Sequence, residues 1–358
     1  MIEEHIFRYR RDLFTSLDLV FFDTTSIYFE GGGGDTIGQR GFSKDHRPDL
    51  KQMLVGAVID DKGQPICCEM WPGNTTDVKT LLPIVAKLQQ RFKIDRVCIV
   101  ADRGMVSAET MRQLKNPENT IPYILGTRMR RVKEIRDVVL SHPGRYKEVR
   151  AESADCKGPE SLKVKQVEHN GHRYIVCRNP CQTRKEARDR EVILAALKKQ
   201  IKKGAKSLVG NKGYRKYLKI AKDSVSIDED KVRYESRFDG KWVLVTNTNM
   251  SAKKVALSYK ELWQVEKVFR DVKSLLNTRS IFYQRDRTIR GHVFCSFLAL
   301  VLRKELERQL NLAGHALEWA DIKQDLKVLQ QVTIEEGKQR HVAYNFWNFI
   351  QHVRGKPF

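Results

Sequence analysis

The run from Arg96 to Asp102 constrains the fold more than any other segment, because five apolar residues stand between an arginine and an aspartate. Apolar runs of this kind, rich in β-branched residues, are typical of a central strand that is buried on both faces of a sheet. Arg103 and Gly104 then turn the chain into a helix, which we expect from about Ser107. The pattern therefore predicts an α/β sheet with Asp102 at the carboxyl end of a central strand, where open sheets of this class place their sites.

The segments around this run predict the rest of the sheet. Their order is strand, hairpin, helix, strand, helix and strand, which is typical of a mixed sheet with helices on its faces. Thr76 and Asp77 are expected to cap the first of these helices. Asp23 interrupts the first strand, and an ordinary aspartate at a strand end or a turn is the alternative to a functional one. The predicted segments are Leu17–Phe29, Met53–Ile59, Pro65–Met70, Thr76–Phe92, Arg96–Asp102, the helix from about Ser107, and Pro122–Thr127.

The pattern changes over residues 130–250, where short strands predominate and Asn170-Gly171 predicts a hairpin turn. Within this region Thr183–Lys222 holds fourteen Lys or Arg against three Asp or Glu, a net charge of +11. The whole chain carries +22, so half of the excess is concentrated here. Such density favours a surface that contacts phosphates, and a solvated helix face is the alternative. An apolar helix at about Ile289–Leu310, a further helix and a polar strand at Val332–Tyr344 follow.

The segment Tyr259–Lys273 predicts one amphipathic helix. Tyr259, Glu266 and Lys273 are seven residues apart, and seven residues of α-helix return to within about 20° of the starting direction. A phenol, a carboxylate and an ammonium therefore share one face, although a solvated face with ordinary charges is the alternative. The apolar positions at helical spacing are Leu262, Val265, Phe269 and Val272.

Composition narrows the class of partner and of compartment. A net charge of +22 favours a polyanionic partner, most simply nucleic acid, although a basic ribosomal or membrane-surface protein shares this excess. The seven cysteines form no regular framework, which predicts a reducing cytoplasm. The longest apolar run, Val293–Leu302, is too short to span a bilayer. The set His169, His172, Cys177 and Cys181 raises a zinc hypothesis, but its spacing is irregular and the hairpin turn already explains the segment.

Three acids stand out at positions where chemistry is expected: Asp23, Asp102 and Glu266. Converging carboxylates repel one another, which makes a purely structural reason for their meeting unfavourable. They supply the hard oxygen ligands that Mg²⁺ prefers, and a pair of such ions about 4 Å apart activates and stabilises the reacting oxygens of a phosphodiester.

The motifs around these acids carry a family resemblance. Asp23-Thr24-Thr25, Asp102-Arg103-Gly104 and the spacing Tyr259…Glu266…Lys273, together with the loop Gly41–Leu50, resemble the DDE transposases of bacterial insertion sequences, in the superfamily that includes the IS-four type. The resemblance covers roughly residues 18–305. It implies an RNase H-like mixed sheet flanked by helices, with a β-rich insertion between the last core strand and the helix that bears the glutamate.

This sequence departs from the family pattern at three points. Leu262 stands where the family carries arginine, and Val106 stands where an aromatic residue is expected. Such transposases usually carry an N-terminal DNA-binding region, whereas twenty-two residues precede Asp23 here. We therefore expect this chain to lack that region.

The resemblance implies a role for each matching residue. Asp23, Asp102 and Glu266 would be the catalytic acids and would bind Mg²⁺, for which Mn²⁺ can substitute. Trp242 is a candidate for stacking on a flipped base, with an ordinary core tryptophan as the alternative. The residues expected to contact DNA are Tyr259, Lys273, Arg270, Lys44, His46, Arg47 and Trp242.

The prediction from sequence is thus a cytoplasmic, nucleoid-associated DNA transposase that acts on transposon ends and target DNA, as a homodimer when bound to DNA and without a membrane partner. An RNase H-like nuclease without strand transfer, and a DNA-binding remnant without transposition activity, are the alternatives. The predicted domains are an N-terminal remnant, the first part of the core, a β-rich basic insertion, the second part of the core and a C-terminal extension, at 1–16, 17–129, 130–250, 251–312 and 313–358.

Overall fold

The computed structural model describes most of the chain. The described residues are 2–10, 19–94, 98–115, 121–149, 162–203, 216–220, 225–275, 278, 281–315, 317–328, 330–336 and 339–345. Parts of several predicted segments, including the start of the run at Arg96 and residues 204–215 of the basic stretch, lie outside the described residues. The chain divides into two compact units, Met1–Ser296 and Phe297–Phe358.

One large sheet organises the first unit. Its strands are β1 Leu19–Tyr28, β2 Gln52–Asp60, β3 Pro65–Pro72, β4 Cys98–Ala101, β5 Tyr123–Gly126, β6 Lys147–Val149, β7 Leu162–His169, β8 His172–Arg178 and, after the separate pair β9 Leu218–Ile220 and β10 Val225–Ile227, β11 Lys241–Thr246. Among the described residues the order across the sheet is β3-β2-β1-β4-β5-β11-β8-β7-β6. The first three strands are antiparallel to one another, whereas β4 runs parallel to β1 and β5 parallel to β4. This confirms the predicted RNase H-like mixed sheet.

Helices cover both faces of this sheet. The helices of the first unit are α1 Ile2–Arg10, α2 Leu81–Phe92, α3 Ala108–Leu114, α4 Pro180–Lys203, α5 Glu229–Ser236, α6 Ala252–Lys260, α7 Trp263–Arg270 and the start of α8 Asp286–Leu312, whereas α9 Trp319–Val328 belongs to the second unit. Val20 and Phe22 of β1 share a buried core with Leu88 of α2. Because side chains alternate along a strand, Ile27 and Phe29 project to the opposite face, where they pack with the first turns of α8.

The insertion extends the core sheet, because β11 pairs with β5 on one side and β8 on the other. The predicted hairpin at Asn170-Gly171 is confirmed between β7 and β8. Both turn residues have positive φ, 49° and 68°, a conformation that asparagine and glycine tolerate better than other residues. Much of the basic stretch forms the 24-residue helix α4, so the insertion contains a long helix as well as the expected strands.

Two local predictions within the first unit were wrong. The segment Tyr259–Lys273 is a chain of α6, a turn, α7 and a π-helical turn at Asp271–Leu275 rather than one helix. At the junction the amide of Leu262 donates to Tyr259 and that of Val265 to Leu262, so tighter i to i+3 bonds replace the α-helical pattern. Thr76 and Asp77 do not cap α2: a 3₁₀ turn at Asp77–Lys79 precedes the helix, and the Thr76 side chain makes no cap hydrogen bond.

The second unit contains the end of α8, helix α9 and a hairpin of β12 Gln330–Glu336 and β13 Gln339–Asn345. A single polar strand was expected here. Two strands form instead, because a lone strand leaves its backbone donors and acceptors unpaired, whereas the hairpin satisfies them within the segment. Among the described residues of either unit, the helices are too short or too polar to cross a lipid bilayer.

Candidate active site

Two carboxylates meet because of the parallel register of β1 and β4. Phe22 pairs with Ala101 at the end of this ladder, and Asp23 and Asp102 are the next residues of the two chains. Neighbouring strands lie about 4.8 Å apart, and residues in register project to the same face. Burial raises the pKa of Asp23 to about 6, and the Asp102 carboxylate adds to this rise. Asp23 lies in the middle of β1, opposite Ala57, so it is not a strand-end or turn aspartate.

The third acid comes from α7 and lines the same cavity as the other two. This helix packs against β1 and β2 and buries Val265, Val268 and Phe269, which leaves Glu266 exposed. Glu266, Asp23 and Asp102 all line one cavity of about 410 Å³. Basic and aromatic side chains share its wall, namely Arg103, Lys241, Lys260, Tyr259, Trp242 and Trp263. The three predicted acids thus line one cavity, and their joint binding of metal ions stays a prediction.

Tyr259 binds one of the acids directly. Helix α6 packs across β4 and β5, and the Tyr259 hydroxyl donates a hydrogen bond of 2.8 Å to Oδ1 of Asp102. Burial and the Asp102 carboxylate raise the pKa of Tyr259 far above its ordinary value, so the phenol remains a donor. Only glycine fits beneath it: a Cβ at Gly126 would lie 2.5 Å from the hydroxyl and 2.9 Å from the amide nitrogen of Arg103.

Lys44 enters the site beside Asp23. Its ammonium donates hydrogen bonds of 2.7 Å to both the carbonyl and the Oγ1 of Thr24, and it lies 4.0 Å from Asp23 Oδ1. It also lies 3.3 Å from Oδ2 of Asp77, a fourth acid, whose Oδ1 accepts a 2.7 Å hydrogen bond from the Thr24 hydroxyl. The Asp77 side chain therefore binds Thr24 and Lys44 at the acid site and does not cap α2.

The donor set suits a divalent metal ion. Asp23 on β1 and Asp102 just after β4 offer hard carboxylate oxygens, and Mg²⁺ needs only one or two carboxylates when waters and substrate phosphates complete its shell. Burial raises the pKa of Asp23, the carboxylates of Asp102 and Asp77 add to the rise, and a bound cation relieves their repulsion. Within the described ranges, no three His, Cys, Asp or Glu side chains already surround a common point. The site is thus assembled around two neighbouring acids, with Glu266 on the same wall.

The other residues predicted to contact DNA have diverse surroundings. Lys273 is buried in an ion pair with Asp45, at 2.9 and 3.1 Å. The exposed Arg47 pairs with its neighbour Asp49, and His46 is exposed in the same loop. Trp242 lines the acid cavity, and its buried Nε1 has no hydrogen-bond partner among the described residues. Arg270 is exposed at the end of α7. Contact of these residues with DNA stays a prediction.

Sequence reasoning missed several residues that shape the site. Asp77 appeared to be a helix cap because its local pattern fits one, while its partner Thr24 is 53 residues away. Arg128 was not identified, although its guanidinium donates to the carbonyls of Arg103 and Gly104 and so holds the turn that follows Asp102. No spacing rule identifies such contacts, because each joins segments that only the sheet brings together.

Comparison with known proteins gives a family match. Residues 15–302 match the family model described as Transposase DDE domain. One solved chain to which this chain is similar belongs to a cryo-EM structure of the piggyBac transposase synaptic complex with hairpin DNA, at 10% sequence identity and a TM-score of 0.46. The similarity covers 85% of this chain and 50% of the piggyBac chain, so this chain spans about half the length of the piggyBac chain. A search of curated proteins finds no match.

Proposed function

The chain belongs to the transposase DDE domain family, and we propose that it cleaves DNA at transposon ends and joins the freed ends to a target. In this role Asp23, Asp102 and Glu266 are the catalytic acids. Double-stranded DNA of the ends and of the target is the substrate. We further propose that the chain is of the bacterial insertion-sequence type, acts in the cytoplasm at the nucleoid, and forms a homodimer when bound to DNA.

The observation that best supports this proposal is the shared cavity of the three acids. Asp23 comes from the middle of a strand, Asp102 from the end of its parallel neighbour, and Glu266 from a helix 164 residues later. Three separate elements thus direct carboxylates into one cavity of about 410 Å³. Arg103, Lys241 and Lys260 add cations to the same wall, as a site for a phosphodiester backbone requires.

The chemistry divides between the metal and the chain. Mg²⁺, or Mn²⁺ in its place, would be held by Asp23, Asp102 and Glu266 and would activate the attacking oxygen and stabilise the leaving one. The chain itself holds Asp102 in place through the Tyr259 hydroxyl and Asp23 through the amide of Thr24, which donates a 2.7 Å hydrogen bond to it. Fixed donors of this kind keep the acids aligned before substrate arrives.

The test is an assay of cleavage and joining with the substitution Glu266→Gln. The DNA is a plasmid that carries the sequences flanking the gene for this chain, and the reaction contains Mg²⁺. We expect the unsubstituted protein to cut and to join, and Glu266→Gln to abolish both while salt-sensitive DNA binding remains nearly intact. Glu261→Gln is the matched control, because Glu261 lies just before α7 but does not line the cavity.

Each alternative gives a different result in the same assay. A protein that cuts but never joins is a nuclease without strand transfer. A protein that binds DNA and neither cuts nor joins is a binding remnant. Equal loss of binding and cleavage in Glu266→Gln contradicts the catalytic role of this residue.

A further inference from the structure

The ammonium of Lys44 lies among oxygen atoms of the acid site rather than in open solvent. An ammonium has three N–H donors. Two of them bind the carbonyl and the hydroxyl of Thr24, each at 2.7 Å. The charge is paired with Asp77 at 3.3 Å and lies 4.0 Å from Asp23. Most of its bonding capacity is therefore used within the protein.

The backbone around Lys44 fixes this position. The Lys44 amide donates a 2.8 Å hydrogen bond to the Ser26 hydroxyl on β1. The next residue, Asp45, is held by its ion pair with the buried Lys273. The loop is thus tied to β1 and to the π-helical turn after α7, and both anchors adjoin elements that carry acids of the site.

The positive charge of Lys44 compensates the negative charges of the carboxylates around it. Asp23 in the middle of β1, Asp102 after the end of β4, and Asp77 bring three carboxylates together, and such groups repel one another unless a cation lies between them. Lys44 and Asp23 have side chains that are 26% and 20% exposed, so water screens their charges only in part. A fixed ammonium at this point offsets the repulsion before a metal ion arrives.

We propose that Lys44 is a resident cation of the acid site, held by Thr24 and Asp77, which stabilises the metal-free arrangement of Asp23 and Asp77 and opposes metal binding. Lys44 is in this view a positioning residue and not a contact of the DNA backbone. The inference rests on the proposed function, since it takes this cavity as the metal site. It assigns Asp77 to the site as the anchor of the lysine.

The experiment measures metal affinity without DNA. Mn²⁺ is titrated at pH 8 into the unsubstituted protein and into Lys44→Met, by calorimetry or by electron paramagnetic resonance of the free ion. Loss of a positive charge a few ångströms from the metal site is expected to tighten Mn²⁺ binding about three- to tenfold. Lys44→Met is also expected to melt at a lower temperature in chelator, and saturating Mn²⁺ narrows the difference. DNA binding in chelator is expected to change little.

The matched control is Lys51→Met, the same change at an exposed residue seven positions later. It is expected to alter neither Mn²⁺ affinity nor melting temperature. Lys44→Gln keeps a hydrogen-bonding side chain without the charge and is expected to reproduce the tighter binding, which covers the case that Lys44→Met fails to fold. Lys44→Arg keeps the charge and is expected to retain the ordinary affinity.

Two results overturn the inference in distinguishable ways. Unchanged Mn²⁺ affinity in Lys44→Met and Lys44→Gln, with weaker DNA binding in chelator, makes Lys44 a phosphate contact and leaves the proposed function standing. Failure of the unsubstituted protein to bind Mn²⁺ refutes the metal site, and the proposed function fails together with the inference.

Discussion

The contact between Tyr259 and Asp102 depends on the absence of a side chain at Gly126, and the substitution Gly126→Ala tests this dependence. The new Cβ would lie 2.5 Å from the Tyr259 hydroxyl, where ordinary contacts begin at 3.4 Å, so the hydroxyl must retreat by about 0.9 Å. A retreat of that size breaks the 2.8 Å hydrogen bond to Asp102.

The expected loss follows from the energy of that bond. A hydrogen bond to a charged acceptor contributes about 1.5–3 kcal/mol, and each 1.4 kcal/mol of lost transition-state stabilisation slows a reaction about tenfold. Gly126→Ala is therefore expected to slow cleavage roughly 10- to 100-fold. Tyr259→Phe, which deletes the same hydroxyl, is expected to have an effect within this range.

The assay is a double-mutant cycle on the single-turnover rate of end cleavage in Mg²⁺. Because Gly126→Ala and Tyr259→Phe break the same hydrogen bond to Asp102, their combined effect on the rate is expected to be smaller than the sum of the separate effects. A residual cost remains, since the alanine Cβ would still lie 2.9 Å from the amide nitrogen of Arg103. Gly291→Ala is the control, because nothing lies within 4 Å of a Cβ at that helical position.

Two outcomes would refute the reasoning. If Gly126→Ala cleaves at the ordinary rate, the packing of Tyr259 against this glycine does not hold the phenol on Asp102. If the two substitutions add in full, they act through separate contacts. Urea unfolding of each variant shows whether the fold, and not only the site, has changed.

Two further predictions concern stability and its pH dependence. Arg190→Ala is expected to lower the free energy of unfolding by about 3–5 kcal/mol in urea titrations, because it leaves the Asp239 carboxylate, which is 8% exposed, without its partner. The control is Arg233→Ala, which removes an exposed ion pair and is expected to cost less than about 1 kcal/mol. The hydrogen bond from Thr36 holds the pKa of Asp286 below its ordinary value. The contact therefore stabilises the fold fully above the ordinary aspartate pKa, and this stabilisation is lost as the pH falls through the lowered pKa of Asp286. Asp286→Asn is therefore expected to flatten the fall of melting temperature below about pH 4, and an unchanged slope would contradict this.

The sequence predicted well what local patterns determine. The strand that ends before Asp102 is an apolar run, and such runs are buried for the same reason in almost any sheet. The convergence of Asp23 with Asp102 required one further assumption, the parallel order of β1 and β4, which the resemblance supplied. With that order, the register brings the two acids together.

Contacts between distant segments could not be predicted from the sequence. Asp77 meets Thr24 across 53 residues, and Lys273 meets Asp45 across 228. The helical periodicity at Tyr259–Lys273 predicted one uninterrupted helix, because the break in the backbone hydrogen bonds does not alter the spacing of the apolar residues. Tertiary packing decided each of these points.

The unequal support of the three acids explains the geometry of the site. Asp23 accepts a hydrogen bond from the amide of Thr24 and lies near Lys44, and Asp102 accepts one from Tyr259. Glu266 is exposed on the short helix α7, which has a turn before it and a π-helical turn after it. Two acids are therefore fixed by β-sheet register, while the third is carried by an element whose hydrogen bonding is irregular at both ends. The position of Glu266 therefore depends on the packing of α7 against β1 and β2 rather than on the register of the sheet.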